Sequence, residues 1–168
     1  MVGALSMVAT FAMASDCVDL SGKYKGMCTL TEAGRTEVFK EKVIIHQEGC
    51  EQIRIRDFFS FDRIWAARKF TIGEERVFVD GPELIKHDLA LVKVAGIVMF
   101  EKPDVLLHKM MREVNDGKTL MTLTIDSRLA QQPNGNLKIH REQVKTLSAV
   151  GKSTSVARTA VDCDLSQD

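Results

Sequence analysis

Residues 22–56, GKYKGMCTLTEAGRTEVFKEKVIIHQEGCEQIRIR, decide the fold class. Tyr24, Gly26, Cys28 and Leu30 fall on one side of an extended chain, with Lys25 and Thr29 on the other. After the turn signal Thr31-Glu32-Ala33-Gly34-Arg35, Phe39, Val43 and Ile45 alternate with Lys40, Lys42 and His46. Gln47-Glu48-Gly49-Cys50 turns the chain again, and Ile53 and Ile55 then alternate with Arg54 and Arg56. Alternation with a period of two means strands with one face buried and one face wet, because successive side chains of an extended chain point to opposite sides. The stretch predicts two consecutive hairpins of an antiparallel sheet.

The same parsing extends outward. Val77, Phe78 and Val79 predict a short strand stopped by Asp80-Gly81-Pro82, and residues 89–100 a long apolar strand in which Gly96 suggests a bulge. Residues 105–114 are read as a strand, Asn115-Asp116-Gly117-Lys118 as a hairpin turn, residues 120–127 and 137–147 as further strands. The prolines fall in turns on this parsing. Residues 57–72, DFFSFDRIWAARKFTI, fit either a short helix or a strand. From about residue 150 the chain turns Ser/Thr-rich and reads as a polar tail. The expectation is an all-β domain with at most one short helix, its eight or nine strands forming an antiparallel up-and-down β-barrel or a closely related β-sandwich. The barrel is preferred because closure leaves no exposed edge.

The chain of 168 residues is long enough for one domain with its own core. Lys+Arg and Asp+Glu are equal at 23 each, with no basic block, so the composition offers no nucleic-acid footprint and argues against an anionic membrane surface. Residues 1–14, MVGALSMVATFAMA, are uncharged and end in the small-x-small pattern Ala12-Met13-Ala14 before Ser15-Asp16. They read as the apolar core and cleavage site of a signal peptide, truncated at its start, leaving residues 15–168 as a single exported domain, periplasmic or extracellular. No run is long and apolar enough for a transmembrane helix.

Behind such a leader, Cys17, Cys28, Cys50 and Cys163 suggest two disulfide bonds, with three connectivities open. The preferred pairing is Cys28–Cys50, clipping the first hairpins, with Cys17–Cys163 tying the chain ends.

In length, strand count and the opening Leu20-Ser21-Gly22-Lys23-Tyr24, the chain resembles the lipocalin-like (calycin) group of small secreted barrels. That group usually carries Gly-x-Trp where this chain has Gly22-Lys23-Tyr24; its one tryptophan, Trp65, lies elsewhere. The resemblance implies a cavity for a small apolar molecule.

Chemistry-bearing patterns are sparse. His46, His87, His108 and His140 are scattered singly, the glycines do not form a phosphate loop, and no cysteine or histidine spacing suits a metal. Neither a cofactor nor a catalytic residue is expected. A hydrolase or isomerase would need His46, His108 or His140 to meet a carboxylate in a cleft. Phe58, Phe59, Phe61, Trp65, Phe70 and Phe78 crowd into one segment and are the candidate ligand-binding wall, with core packing as the plainer alternative. Met110, Met111 and Met121 are candidates for additional soft lining, and Arg54 and Arg56 form a wet strand face. The expected function is an exported non-enzymatic barrel for a small hydrophobic ligand. The alternative is a structural or protein-interaction module of the bacterial envelope with a filled core.

Overall fold

The alternation in residues 22–56 becomes three successive strands of the computed structural model, which describes residues 17–57, 69–85 and 88–168. The strands are β1 (Gly22–Glu32), β2 (Arg35–Glu48), β3 (Gln52–Asp57), β4 (Lys69–Thr71), β5 (Glu75–Ile85), β6 (Asp88–Lys102), β7 (Val105–Asn115), β8 (Thr119–Gln131), β9 (Leu137–Ala149) and β10 (Ser155–Gln167). They form one antiparallel sheet in the order β4-β3-β2-β1-β10-β9-β8-β7-β6-β5. Strands adjacent in sequence pair with one another except β4 and β5, and β1 pairs with β10, so the chain ends meet in the middle of the sheet. The result is the expected all-β architecture, a nearly closed up-and-down barrel.

The seam lies between β4 and β5. The two strands are joined by a turn at Ile72-Gly73-Glu74, where Gly73 N donates to Val98 O at 2.7 Å on β6. Arg76 Nη1 on β5 donates to Lys69 O on β4 at 3.0 Å, and the Phe70 and Phe78 rings meet edge to face at 5.3 Å. Side chains and one backbone bond therefore bridge the gap that the ladder leaves open.

Inward positions alternate with outward ones on every long strand, and the inward set defines two ends. At one end Leu20, Tyr24, Ile45, Ile53, Phe70, Val98, Leu106, Leu137 and Leu165 are all buried. Residues 17–21 lie across this end. Gln47 holds them there: its Oε1 accepts from Leu20 N at 3.1 Å and its Nε2 donates to Val18 O at 3.0 Å. The Tyr24 hydroxyl donates to Leu20 O at 3.0 Å. Burial, and next the Asp19 charge, raise the Tyr24 pKa, which keeps the phenol a donor. At the opposite end the inward residues Leu30, Phe39, Val79, Val114 and Leu123 are only half-buried.

Several expectations need correction. The cysteines pair as Cys17–Cys50 and Cys28–Cys163, in place of the preferred Cys28–Cys50 and Cys17–Cys163. The reason is register: Cys28 sits directly opposite Cys163 across the β1–β10 pair, with a Cα–Cα distance of 4.1 Å, whereas Cys50 lies in the β2–β3 turn beside the strap at Cys17. The residues expected to be a polar tail contain β10, whose inward Val161, Cys163 and Leu165 are buried. Three apolar residues among Ser, Thr and Asp were too few to stand out. Pro82 does not stop a strand: it lies inside β5, opposite Leu91, at the edge of the sheet where a missing N–H is tolerated. Gly96 is in regular register with Arg76 and Met110, and the irregularities fall instead between Val77 and Val79 and between Phe100 and Lys102. The helix-or-strand question over residues 57–72 is met by β4 at Lys69–Thr71, with residues 58–68 outside the described residues, as are residues 1–16.

The two disulfides close loops with sequence separations of 135 and 33 residues. On chain entropy they contribute roughly 5 and roughly 4 kcal/mol. The Cys28→Ala/Cys163→Ala protein is therefore expected to melt below the Cys17→Ala/Cys50→Ala protein, and both below the parent, in thermal denaturation followed by circular dichroism. Non-reducing peptide mapping is expected to recover the 17–50 and 28–163 linked peptides.

Candidate functional site

The barrel interior carries polar groups at mid-height, each placed there by strand parity. His108 on β7, Ser127 on β8 and Arg141 on β9 occupy inward positions of adjacent strands, with Ser127 opposite both of the others. All three are buried. Arg141 Nε donates to Ser127 Oγ at 3.0 Å. Glu41, inward on β2 between Phe39 and Val43, is also buried, and its Oε1 accepts from Lys42 N at 2.8 Å. Buried charges and hydroxyls of this kind persist only when hydrogen-bonded or ion-paired.

The His108 ring stands edge to face against Phe70 at 5.7 Å. Complete burial, followed by the Arg141 charge, pushes its pKa from 6.5 down to about 3. His108 is thus neutral at physiological pH and a very weak base, although it is the neighbour of a serine. A general base is most effective with a pKa near the working pH, so His108 and Ser127 are poorly matched as a nucleophilic pair. The row is better suited to orienting a polar group inside the barrel than to activating one.

Arg112 lies on the same strand as His108, farther toward the half-buried end, and faces inward between Val94 on β6 and Leu123 on β8. Its Nε is buried and has no hydrogen-bond acceptor among the described residues. A guanidinium left with an unused donor beside aliphatic neighbours is a ready partner for an oxygen acceptor. On the outer wall toward this end, Thr31, Glu142, Gln143, Val144 and Arg158 line a recess of about 260 Å³.

Of the aromatic wall expected from the sequence, Phe70 and Phe78 come together at the seam, with Phe70 fully inside the core. Phe58, Phe59, Phe61 and Trp65 lie outside the described residues, as does His87. Met110 and Met121 face inward; Met111 is outward on β7, away from the barrel interior. Cys17, Cys28, Cys50 and Cys163 are all disulfide-bonded.

The three described histidines do not converge. His46 lies outward on β2 and His108 inward on β7, while His140 lies outward on β9, where Nδ1 meets Asp162 Oδ1 at 2.7 Å and Nε2 meets Glu142 Oε1 at 3.6 Å. The hydrogen bond to Asp162 is the main cause of a raised His140 pKa, on an exposed strand face rather than in a cleft.

Glu41, Arg112, Ser127 and Arg141 belong to no sequence motif. The signal that finds them is parity: Glu41, Arg112 and Ser127 each stand at an inward position between apolar residues, as Ser127 does between Ile125 and Leu129, and Arg141 follows the inward Leu137 and Ile139. Neither a protein-family model nor a curated protein sequence matches the chain.

Because His108 is held neutral in the fold but titrates near 6.5 once exposed, the unfolded chain binds more protons between those values. Its contribution to stability is intact above pH 6.5 and is lost as the pH falls toward 3. Between pH 7 and pH 5 the loss amounts to about 2 kcal/mol. Urea unfolding at these two pH values is expected to show that drop in the parent and a drop smaller by about this amount in His108→Leu.

Proposed function

We propose that this protein is an exported, non-enzymatic β-barrel that binds a small hydrophobic or amphipathic ligand inside the barrel. The observation that carries the reading is the gradient along the interior. One end is sealed by Leu20, Tyr24 and the strap of residues 17–21, while at the other the inward apolar residues are half-buried and flank Arg112. A site with an apolar wall and a few polar groups fits a ligand that is mostly hydrocarbon and carries one oxygen-rich head. In this reading the tail lies against Leu123, Val114 and Phe78, and the head accepts from Arg112. The resemblance to lipocalin-like barrels points the same way. Export is supported by the two disulfide bonds, since such bonds persist mainly in oxidising compartments.

The test uses a fluorescent polyene fatty acid and its methyl ester as probes. The parent protein is expected to bind both, the acid more tightly. Leu123→Trp is expected to weaken both by filling the interior near the half-buried end. Arg112→Met is expected to weaken the acid about tenfold, the loss of one charge-assisted hydrogen bond, and to leave the ester unchanged. Its folding stability should hold or rise, since an unsatisfied buried donor costs about 1–3 kcal/mol. If neither probe binds and native mass spectrometry of the purified protein shows no adduct, the interior is filled and an envelope structural or interaction role replaces this reading.

A further inference from the structure

The composition is electrically balanced, but the barrel sorts the charges by face. Outward positions hold Lys23 and Lys25 on β1, Lys40 and Lys42 on β2, and Arg54 and Arg56 on β3. Lys25 stands directly opposite Lys42, which in turn is two residues from Lys40. Like charges placed opposite each other across a strand pair repel. Among the described residues the carboxylate at an outward position of these three strands is Glu48, and it is engaged by Lys69 at 2.7 Å. Neighbouring charges in such a sheet are roughly 5–7 Å apart. That is less than a Debye length at physiological salt, so their fields add. Asp168 at the chain end shows the sum. It pairs with Lys25, and its carboxyl is held below the usual range first by that lysine, with Lys42 and Lys23 contributing more distantly.

The face is not purely charged. Met27, opposite Lys40, is 48% exposed, and Val38 on the adjacent strand is 60% exposed. Exposed apolar side chains set among flexible lysines suit an interface in which the ammonium groups reach phosphates while short apolar groups enter the layer beneath. A nucleic-acid surface more commonly offers a groove or aromatic platforms for bases, and the outward positions of β1, β2 and β3 carry no aromatic residue.

We propose that the outer face of β1, β2 and β3 docks the barrel onto an anionic lipid bilayer, with Lys23, Lys25, Lys40, Lys42, Arg54 and Arg56 meeting the headgroup phosphates. This inference is independent of whether the interior holds a ligand. It also revises the expectation from bulk charge, because attraction to a surface depends on the face presented and not on the sum over the chain.

The experiment is sedimentation of the intact protein with vesicles of phosphatidylcholine alone and of three parts phosphatidylcholine to one part phosphatidylglycerol, at low and high salt. The expected result is binding to the mixed vesicles alone, weakened by salt. Lys40→Glu/Lys42→Glu/Arg56→Glu should lower the partition coefficient by at least roughly tenfold. Lys93→Glu/Lys109→Glu/Lys138→Glu has the same change in net charge on exposed positions elsewhere and should keep most of the binding. If the first variant lacks the parent's circular dichroism spectrum, Lys40→Gln/Lys42→Gln/Arg56→Gln takes its place. No binding of the parent to mixed vesicles at low salt, or equal loss in both variants, overturns the proposal. So does tighter binding of an oligonucleotide than of vesicles, abolished by the patch variant, which assigns the face to nucleic acid.

Discussion

The barrel depends on the pairing of β1 with β10. Every other pairing in the sheet joins strands adjacent in sequence, and with β4 and β5 unpaired these make two separate meanders, β1 to β4 and β5 to β10. Only the β1–β10 ladder, from Tyr24 opposite Gln167 to Glu32 opposite Thr159, brings the chain ends together and joins the two meanders into one wall. Two features of the sequence serve it. Gly26 lies opposite Leu165, and a Cβ there would run into the backbone of Asp164 and Leu165, so a larger residue would push the strands apart. One step along, Cys28 and Cys163 link the same two strands covalently from inside the barrel, both fully buried. The longest-range contact in the fold is thus the one given a covalent link, where loop closure is most unfavourable in entropy.

Closure produces an interior, and the interior is not uniform. At the sealed end the inward residues are aliphatic or aromatic, and burying each contributes on the order of 1.5–3 kcal/mol. At mid-height the same parity places Glu41, His108, Ser127 and Arg141, whose burial carries a desolvation cost that hydrogen bonds and ion pairs must offset. Packing alone gives no reason for a neutral His108 and for an Arg112 Nε without an acceptor among the described residues; apolar residues of similar volume would hold the wall more firmly. Proteins carry such locally unfavourable groups most often where specificity or binding is needed, which makes this layer, rather than the sealed end, the place to look for function.

How far the sequence reveals this follows from which signals are local. Alternation on β1, β2 and β3 is local, and so are the two turns Ala33-Gly34 and Asp116-Gly117, with Gly34 and Gly117 at positive φ as their turns require. Those parts were legible. The cysteine pairing was not, because it depends on β1 and β10 being neighbours, a fact spread over a separation of 135 residues. Nor was β10 itself, since Val161, Cys163 and Leu165 resemble a strand only when a partner is placed beside them. The aromatic crowding over residues 58–78 is a local signal, whereas the polar layer is made of single residues on four strands. Arg141 looks like any solvated arginine until the burial of Leu137 and Ile139 sets the parity of its strand.

Strand parity shapes the exterior as well as the interior. A strand that alternates apolar and polar residues presents its polar set to one side, and a barrel turns that side outward in sectors, one sector per few strands. In residues 22–56 the polar set is dominated by lysine and arginine, so that sector is cationic; outward on β10, Asp162 and Asp164 give the next sector the opposite sign. A chain with equal numbers of acidic and basic residues becomes a polarised cylinder when it closes. Equal totals exclude a large monopole, but they place no limit on the field of one face at distances comparable to the Debye length. For closed β-sheets, charge is therefore better counted along the outward positions of adjacent strands than along the chain.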